Sequence, residues 1–396
     1  MLDSDMKNGI RQRGKNSYQI VISRGKDAVT GKYQQYSETF RGSKNAAKKR
    51  RADLITQLDK GTFIQPKKIT MADYLLKWLT DYAQGVLRPN TYERYEIAIR
   101  THLIPAIGSI PLNKLSPEHI QQHYTDLEKR GLKPLTIRKD HTVLHKALQT
   151  AIKWKLLNYN ACDGAEPPKA VYSEIECWDD FEVRQFLDSI IDSDYYPLFH
   201  TALYSGMRRS ELLALRWSDI DLLTGTISVT RGMQKLQKGG YIFNNPKTKK
   251  SKRMIQLSPA SIAVLREHLR TQEIIREKIG KPLRSDDLVF SKLEGEPLRP
   301  NSVSRAWLNL AKKAGVKIIR MHGSRHTHAS LMLEAGIHPK IVQERLGHSS
   351  ISVTLDIYSR VKPQLQEAAA LAFDKLVSPA YNDSGNRELE KLLTNS

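Results

Sequence analysis

Two short stretches in the C-terminal half of the sequence each hold a pair of ionisable side chains three residues apart. Arg208 and Glu211 are three residues apart at a predicted helix start, so the carboxylate can hold the guanidinium in place. His322 and Arg325 are also three apart and share one helical face. An arginine beside an imidazole donor suits a phosphate in a charge-rich transition state. The two pairs indicate phosphoryl chemistry, although the first, taken alone, is more typical of a surface ion pair.

Such chemistry also needs a nucleophile and a proton donor. Tyr358 follows His348 by ten residues. A phenol is a poor nucleophile because its pKa is about 10, but arginines can stabilise the phenolate and a histidine can take its proton. Taken singly, Tyr358 is more typical of a packed core tyrosine. One of the four lysines in the basic loop 246–253 could protonate a leaving group, and a solvated loop is the alternative.

Three histidines close together, His322, His326 and His328, raise the question of a metal site. No nearby carboxylate or cysteine completes a recognisable ligand pattern, so we expect neither a metal nor another cofactor. Cys162 and Cys177 are the only cysteines, too few for a disulfide framework or a four-cysteine zinc site.

The elements that would position these residues form a multidomain α+β chain. Residues 1–66 predict a small β-sheet with a helix, because apolar and polar residues alternate over 17–24 and 34–40 and Ser43 can cap a helix through Leu58. One sheet face would pack on the helix and leave the other for DNA. A solvated basic hairpin is the alternative.

Residues 67–160 predict an all-α bundle of four or five helices, the first started by Thr70 and Asp73 and another by Ser116 and Pro117. A linker at 161–177 precedes a mixed, mainly α region with a small sheet at 178–378, in which strands at 226–231 and 253–257 form a hairpin-like unit. A polar tail occupies 379–396. The inward stripe of the first bundle helix is expected to contain Tyr74, Leu75, Trp78, Leu79 and Tyr82.

The 396 residues carry a formal net charge of +21, which points to a polyanionic partner. Charge alone does not separate nucleic acid from an anionic membrane or mere solubility. The excess is densest in 1–66, with 14 basic and 6 acidic residues, and in 67–160, with 15 and 8. No apolar run could span a bilayer and the N-terminus lacks a signal peptide, so we expect a cytoplasmic protein. The expected DNA-binding residues are Arg24, Lys26, Arg41, Arg94, Arg138 and Lys139.

The order of the motifs resembles the active-site series of the tyrosine recombinases, the phage integrase family. The matching stretches are Gly206-Met207-Arg208-Arg209-Ser210-Glu211, Pro246-Lys247-Thr248-Lys249, His322-Gly323-Ser324-Arg325, Leu346-Gly347-His348 and Asp356-Ile357-Tyr358. The resemblance covers about residues 70–378. Residues 1–66 are similar to the arm-binding domain of integrases from phages and conjugative transposons, a less specific likeness.

The resemblance implies that Tyr358 attacks a DNA phosphodiester and forms a 3′-phosphotyrosine. Arg208 and Arg325 would clamp the phosphate and Lys247 would protonate the 5′-oxygen. His322 would assist proton transfer at the tyrosine, and His348 would hydrogen-bond the phosphate. Glu211, as a supporting residue, would orient Arg208.

The resemblance further implies an integrase acting on double-stranded DNA attachment sites of a mobile element or prophage. The helical bundle would bind the core site opposite the catalytic domain, and the enzyme would work as a homotetramer with accessory DNA-bending or excision proteins, without a membrane and near the nucleoid. A type IB topoisomerase and a non-catalytic DNA-binding regulator on the same fold are the alternatives.

Overall fold

The computed structural model describes residues 9–26, 31–59, 69–170, 176–236, 239–244, 252–348 and 350–358, together with 371, 373, 374 and 377. The chain divides into two compact units, residues 1–172 and 173–396. Small antiparallel sheets and many helices make up both, which confirms the expected mixed fold at this coarse level. None of the described helices combines the length and the hydropathy that a bilayer crossing requires.

The first unit begins with a three-stranded antiparallel sheet of β1 (Ile10–Gly14), β2 (Ser17–Lys26) and β3 (Tyr33–Arg41), in that order, followed by α1 (Lys44–Asp59). The expected strands and helix are confirmed, and Ser43 accepts a hydrogen bond from the Ala46 amide at 3.2 Å. The prediction of only two strands was wrong, since β1 has a short, mostly exposed pattern that gives little period-two signal. Apolar residues of one sheet face and of α1 form a small core: Tyr18, Ile20, Ile22, Tyr36, Ala47 and Leu54.

The rest of the first unit is helical. Its α-helices are α2 (Met71–Trp78), α3 (Gln84–Val86), α4 (Pro89–Ala98), α5 (Ile104–Ile107), α6 (Pro117–Lys129) and α7 (Pro134–Lys153). Two π-helical turns, Leu79–Ala83 and Ile99–Leu103, join α2 to α3 and α4 to α5, so four continuous helices result. The Thr70 capping box and the helix start at Ser116 are both present.

The second unit carries the residues of chemical interest. It begins with α8 (Asp180–Ser189), α9 (Tyr196–Ser205) and α10 (Arg209–Leu212). A three-stranded sheet then orders β4 (Ile220–Asp221), β5 (Thr226–Val229) and, farther along the chain, β8 (Arg253–Gln256). The expected pairing of β5 with β8 is antiparallel, and a second hairpin of β6 (Gly232–Lys235) and β7 (Tyr241–Asn244), not foreseen, lies between them in sequence.

Five further helices complete the described part of this unit: α11 (Pro259–Lys278), α12 (Pro300–Ala314), α13 (Gly323–Glu334), α14 (Pro339–Leu346) and α15 (Ile351–Tyr358). Stacked rings anchor the core, with Trp178 and Trp307 4.8 Å apart between ring centroids. Because α13 packs against α9, α14 and α15, the ends of these helices converge. The candidate site lies at this convergence.

Candidate active site

The turn between α9 and α10 places Arg208. Gly206 ends α9 with φ +62°, and a Cβ there would lie 2.5 Å from Leu346 Cδ2 and 2.7 Å from His328 Cδ2, so only glycine fits. Arg208 is the residue before α10, and its amide donates to Glu211 Oε2 at 2.9 Å. Its guanidinium Nη1 donates to Glu211 Oε1 at 2.7 Å. The predicted pairing of Arg208 with Glu211 is therefore present.

A second arginine, missed from the sequence, binds the same carboxylate. Arg253, the first residue of β8, donates through Nη2 to Glu211 Oε2 at 2.9 Å and through Nη1 to Oε1 at 3.2 Å. Its Nε donates to the Arg345 carbonyl at 2.7 Å. The Arg253 side chain is 5% exposed and that of Glu211 is 9% exposed. A single basic residue after a lysine-rich loop carries no local signal for such a contact.

Glu211 is the ionised centre of this cluster. Burial by itself would raise the pKa of its carboxyl, but the hydrogen bonds and charge of Arg253, and then the charge of Arg208, lower that pKa below its usual value. Four donors from the two arginines fill the carboxylate's acceptor positions. The carboxylate is thus held charged and fixed at neutral pH.

Arg325 reaches the same place from α13. It is 2% exposed and donates through Nη1 to the Gly206 carbonyl at 2.9 Å and through Nη2 to the Leu346 carbonyl at 2.6 Å. Arg208 Nη2 donates to the next carbonyl, that of Gly347, at 3.2 Å. Burial lowers the pKa of Arg325, and the positive charge of Arg208 lowers it further because the two guanidinium groups repel each other. Arg208 and Arg325, 117 positions apart in the sequence, therefore donate hydrogen bonds to the consecutive backbone carbonyls of Gly347 and Leu346.

His348 follows these carbonyls directly. Gly347 ends α14 with φ +68°, and the His348 amide donates to the Gln343 carbonyl at 3.1 Å. The His348 Nδ1 lies 2.9 Å from Thr354 Oγ1 on α15. Burial, then the charges of Arg325 and Arg208, lower the pKa of His348 to about 3. Its imidazole is neutral at neutral pH.

His322 stands just before α13, and its ring packs edge-on against that of His326, with 4.9 Å between centroids. Burial, followed by the charges of Arg325 and Arg208, lowers the pKa of His322. A neutral His322 can accept a proton. The site thus combines two arginines and two neutral imidazoles, a set suited to holding an anion and moving protons.

Two family models match the chain over its central and C-terminal parts. The model described as phage integrase family matches residues 179–364, and the model described as phage integrase, N-terminal SAM-like domain, matches residues 70–127. Together they cover more than half of the chain. The chain belongs to the phage integrase family.

Known integrases resemble the chain over most of its length. The XerC-like tyrosine recombinase of Caldanaerobacter subterraneus subsp. tengcongensis is 26% identical over 383 residues, 92% of this chain and 97% of the relative. The ICEBs1 integrase of Bacillus subtilis is 25% identical over 371 residues, 93% and 100% of the two chains. The predicted resemblance is confirmed: the chain is a site-specific tyrosine recombinase of the integrase type, an enzyme class that cleaves and rejoins DNA. Neither the topoisomerase nor the regulator alternative is favoured.

Solved integrases share the fold. A structure of the Tn1549 transposon integrase in complex with transposon right end DNA superposes with a TM-score of 0.66 at 23% identity, covering 78% of this chain and 100% of that one. A lambda integrase dimer bound to a COC′ core site gives a TM-score of 0.55 at 18% identity, covering 90% and 96%.

His328, the second histidine of α13, has a structural role in this integrase. His328 Nδ1 lies 2.8 Å from the Leu203 carbonyl, and Arg345 Nε donates to its Nε2 at 3.1 Å. Since a carbonyl only accepts and a guanidinium only donates, the ring is neutral with its proton on Nδ1. Among the described residues, no group of three or more histidine, cysteine, aspartate or glutamate side chains could hold a metal ion.

Two predicted catalytic residues are not placed with the others. Lys247 lies outside the described residues. The backbone of Tyr358 ends α15, the helix that also carries Thr354, whereas the Tyr358 side chain lies outside the described part. Their roles stay predictions.

The predicted DNA-binding residues are dispersed over the first unit of this integrase. Arg94 lies on α4, and on α7 Arg138 donates to the Pro168 carbonyl at 3.3 Å. On the sheet, the Lys26 Nζ lies 5.2 Å from the ring centroid of Tyr33. The side chain of Arg24 lies outside the described part. Exposed side chains agree with a DNA contact but do not test it: Lys26, Arg41, Arg94, Arg138 and Lys139.

Proposed function

We propose that this integrase cuts and rejoins DNA through a covalent bond between Tyr358 and the 3′ phosphate of the cut strand. The observation that carries the proposal is the meeting of Arg208 and Arg325 at the carbonyls of Leu346 and Gly347, with His348 next to them. Two arginines held this close repel each other, and an anion between them would relieve that repulsion. A DNA phosphate is the anion that the family acts on.

The arginines would hold the two non-bridging oxygens of the scissile phosphate. Each guanidinium has five N–H donors, so donors are left for the phosphate after the backbone bonds described above. When Thr354 donates its hydroxyl proton to His348 Nδ1, the other ring nitrogen carries the proton and can donate to a phosphate oxygen. The arginines supply positive charge at the phosphate, which leads us to propose cleavage without a divalent metal.

The cleavage step exchanges one phosphorus–oxygen bond for another. The Tyr358 oxygen bonds to phosphorus, and the bond from phosphorus to the 5′-oxygen breaks. His322, neutral because its pKa is lowered, takes the phenol proton, and Lys247 donates a proton to the departing 5′-oxygen. A 5′-hydroxyl of a second strand reverses the step and reseals the DNA without ATP.

We further propose that the enzyme acts in the cytoplasm, at the nucleoid, as a homotetramer on attachment sites of a mobile element or prophage. One solved structure with this fold is a lambda integrase tetramer bound to a Holliday junction, and others hold the Tn1549 integrase with circular intermediate DNA. Residues 1–66 would bind arm-type DNA, residues 67–160 would bind the core site, and residues 178–378 would form the catalytic region. The linker is 161–177 and the polar tail 379–396. Accessory bending or excision proteins complete the proposal.

A nicked suicide substrate tests the chemistry. DNA spanning the junction of the element that encodes the chain, nicked beside the cleavage position, should trap a covalent adduct with the wild type and none with Tyr358→Phe. The matched control is Tyr204→Phe, which keeps the aromatic ring whose centroid lies 4.1 Å from that of His200, and it should still form the adduct. A wild type without adduct, or an adduct with Tyr358→Phe, would show the assignment to be wrong.

A further inference from the structure

Arg253 binds Glu211, the carboxylate that also holds Arg208. Its guanidinium makes two bonds to Glu211 and one to the carbonyl of Arg345, the last but one residue of α14. A Cβ on Gly347 would lie 3.1 Å from Arg253 Cδ, so the arginine also lies against the turn that presents His348. The Arg253 side chain is 5% exposed, whereas that of Arg208 is 35% exposed, so Arg208 is the more accessible of the two to a phosphate from solvent.

The charges explain why two arginines share one carboxylate. With Arg208 alone, a buried Glu211 would neutralise most of the positive charge that Arg208 can offer a phosphate. The bidentate contact with Arg253 satisfies the carboxylate from its other side. Arg208 then keeps its charge while its amide and Nη1 stay anchored on Glu211.

We propose that Arg253 is a positioning residue for the cleavage reaction, which fixes and electrically balances Glu211 so that Arg208 presents an oriented, charged guanidinium to the scissile phosphate. The inference rests on the proposed function of Arg208. It differs from a role in leaving-group protonation, even though Arg253 follows Lys247 by six residues in the sequence.

Single-turnover cleavage of the suicide substrate by saturating full-length enzyme measures the effect. We expect Arg253→Gln to slow adduct formation by about 100-fold, the typical loss when a catalytic group is misplaced by about an ångström. Arg253→Lys, which keeps the charge without the bidentate geometry, should fall between this variant and the wild type. The matched control is Arg276→Gln, because Arg276 is 11% exposed and pairs with Asp287 at 3.3 Å elsewhere in the same unit. It should cleave within threefold of the wild-type rate.

Two comparisons separate positioning from loss of structure. In a double-mutant cycle, Glu211→Gln should make Arg253→Gln nearly silent, since Arg253 acts through Glu211. A substrate with sulfur in place of the bridging 5′-oxygen has a leaving group that needs no proton. It should restore cleavage by Lys247→Ala but not by Arg253→Gln.

The outcomes decide between the two proposals. An absent adduct with the wild type contradicts the proposed function itself. If the wild type forms the adduct, three results each overturn the role of Arg253: near-wild-type cleavage by Arg253→Gln, multiplicative losses in the cycle, or rescue of Arg253→Gln by the sulfur substrate. If the control Arg276→Gln slows cleavage as much as Arg253→Gln does, the loss is a general structural effect and the role of Arg253 is likewise overturned.

Discussion

Replacing His328 with glutamine should remove a defined part of the pH dependence of stability. Burial first, and then the charge of Arg345, lower the pKa of His328 from 6.5 to about 4. Glutamine can keep a donor for the Leu203 carbonyl and an acceptor for Arg345 Nε, but it does not titrate. The variant therefore isolates the protonation of one ring.

The sign follows from the lowered pKa. The unfolded chain binds a proton below pH 6.5, whereas the folded chain resists it until about pH 4, so this contribution is complete above pH 6.5 and is lost as the pH falls through this window. At about 1.4 kcal/mol per pH unit, the full loss is roughly 3 kcal/mol, and on the order of 2 kcal/mol of it has occurred by pH 5. His328 is only 9% exposed, so little of this is screened by solvent.

Urea unfolding of the full-length chain at pH 7.5 and pH 5, with hydrogen exchange used to follow peptides of the second unit, measures the difference. The wild type should lose on the order of 2 kcal/mol more than His328→Gln between these pH values. Other histidines titrate in both proteins and cancel. His338→Asn, an exposed position where asparagine can keep the helix cap, should behave as the wild type. Equal losses in wild type and His328→Gln would refute the neutral, buried ring.

Two further substitutions test the frame of the site by the same unfolding measurement at pH 7.5. Glu211→Gln should lower the free energy of unfolding by about 3–5 kcal/mol because it leaves two arginines without their buried counter-charge. The control Glu296→Gln, in an exposed pair with Lys292, should change it by no more than about 0.5 kcal/mol. Similar losses for the two variants would contradict the central role of Glu211. Gly206→Ala should cost about 2–4 kcal/mol through its positive φ and the overlap with two neighbouring side chains. Gly280→Ala, with φ +69° and nothing within 4 Å of the added Cβ, should cost only about 1 kcal/mol, and an equal cost at both positions would exclude the overlap.

The parts of the site that local spacing determines could be predicted from the sequence. Arg208 and Glu211 pair because they are three residues apart at the start of a helix, and His322 and Arg325 have the same spacing at the start of α13. Arg253 could not be found like this, because it reaches Glu211 from 42 residues away through the pairing of β8 with β5. Contacts of this kind arise from tertiary packing, for which the neighbouring sequence holds no periodic signal.

The sequence predicted where helices occur better than it predicted which residues of a helix are buried. The inward stripe of the first bundle helix was expected to reach Tyr82, but Ala83 is the fully buried residue and Tyr82 is only partly buried. The reason is the π-helical turn Leu79–Ala83, which holds an extra residue and so delays the stripe by one position. A count at 3.6 residues per turn does not detect this change.

The two π-helical turns also mark sites where the chain can change length. Across the second turn, Ile99, Leu103 and Ile107 are all buried at intervals of four residues, so the helix on each side keeps its own inward face. A one-residue deletion within such a turn would return it to an ordinary α-helix, and the shift would be absorbed there and not passed along the whole bundle. These two turns are therefore the places in the bundle where single-residue insertions and deletions between related integrases are expected to accumulate.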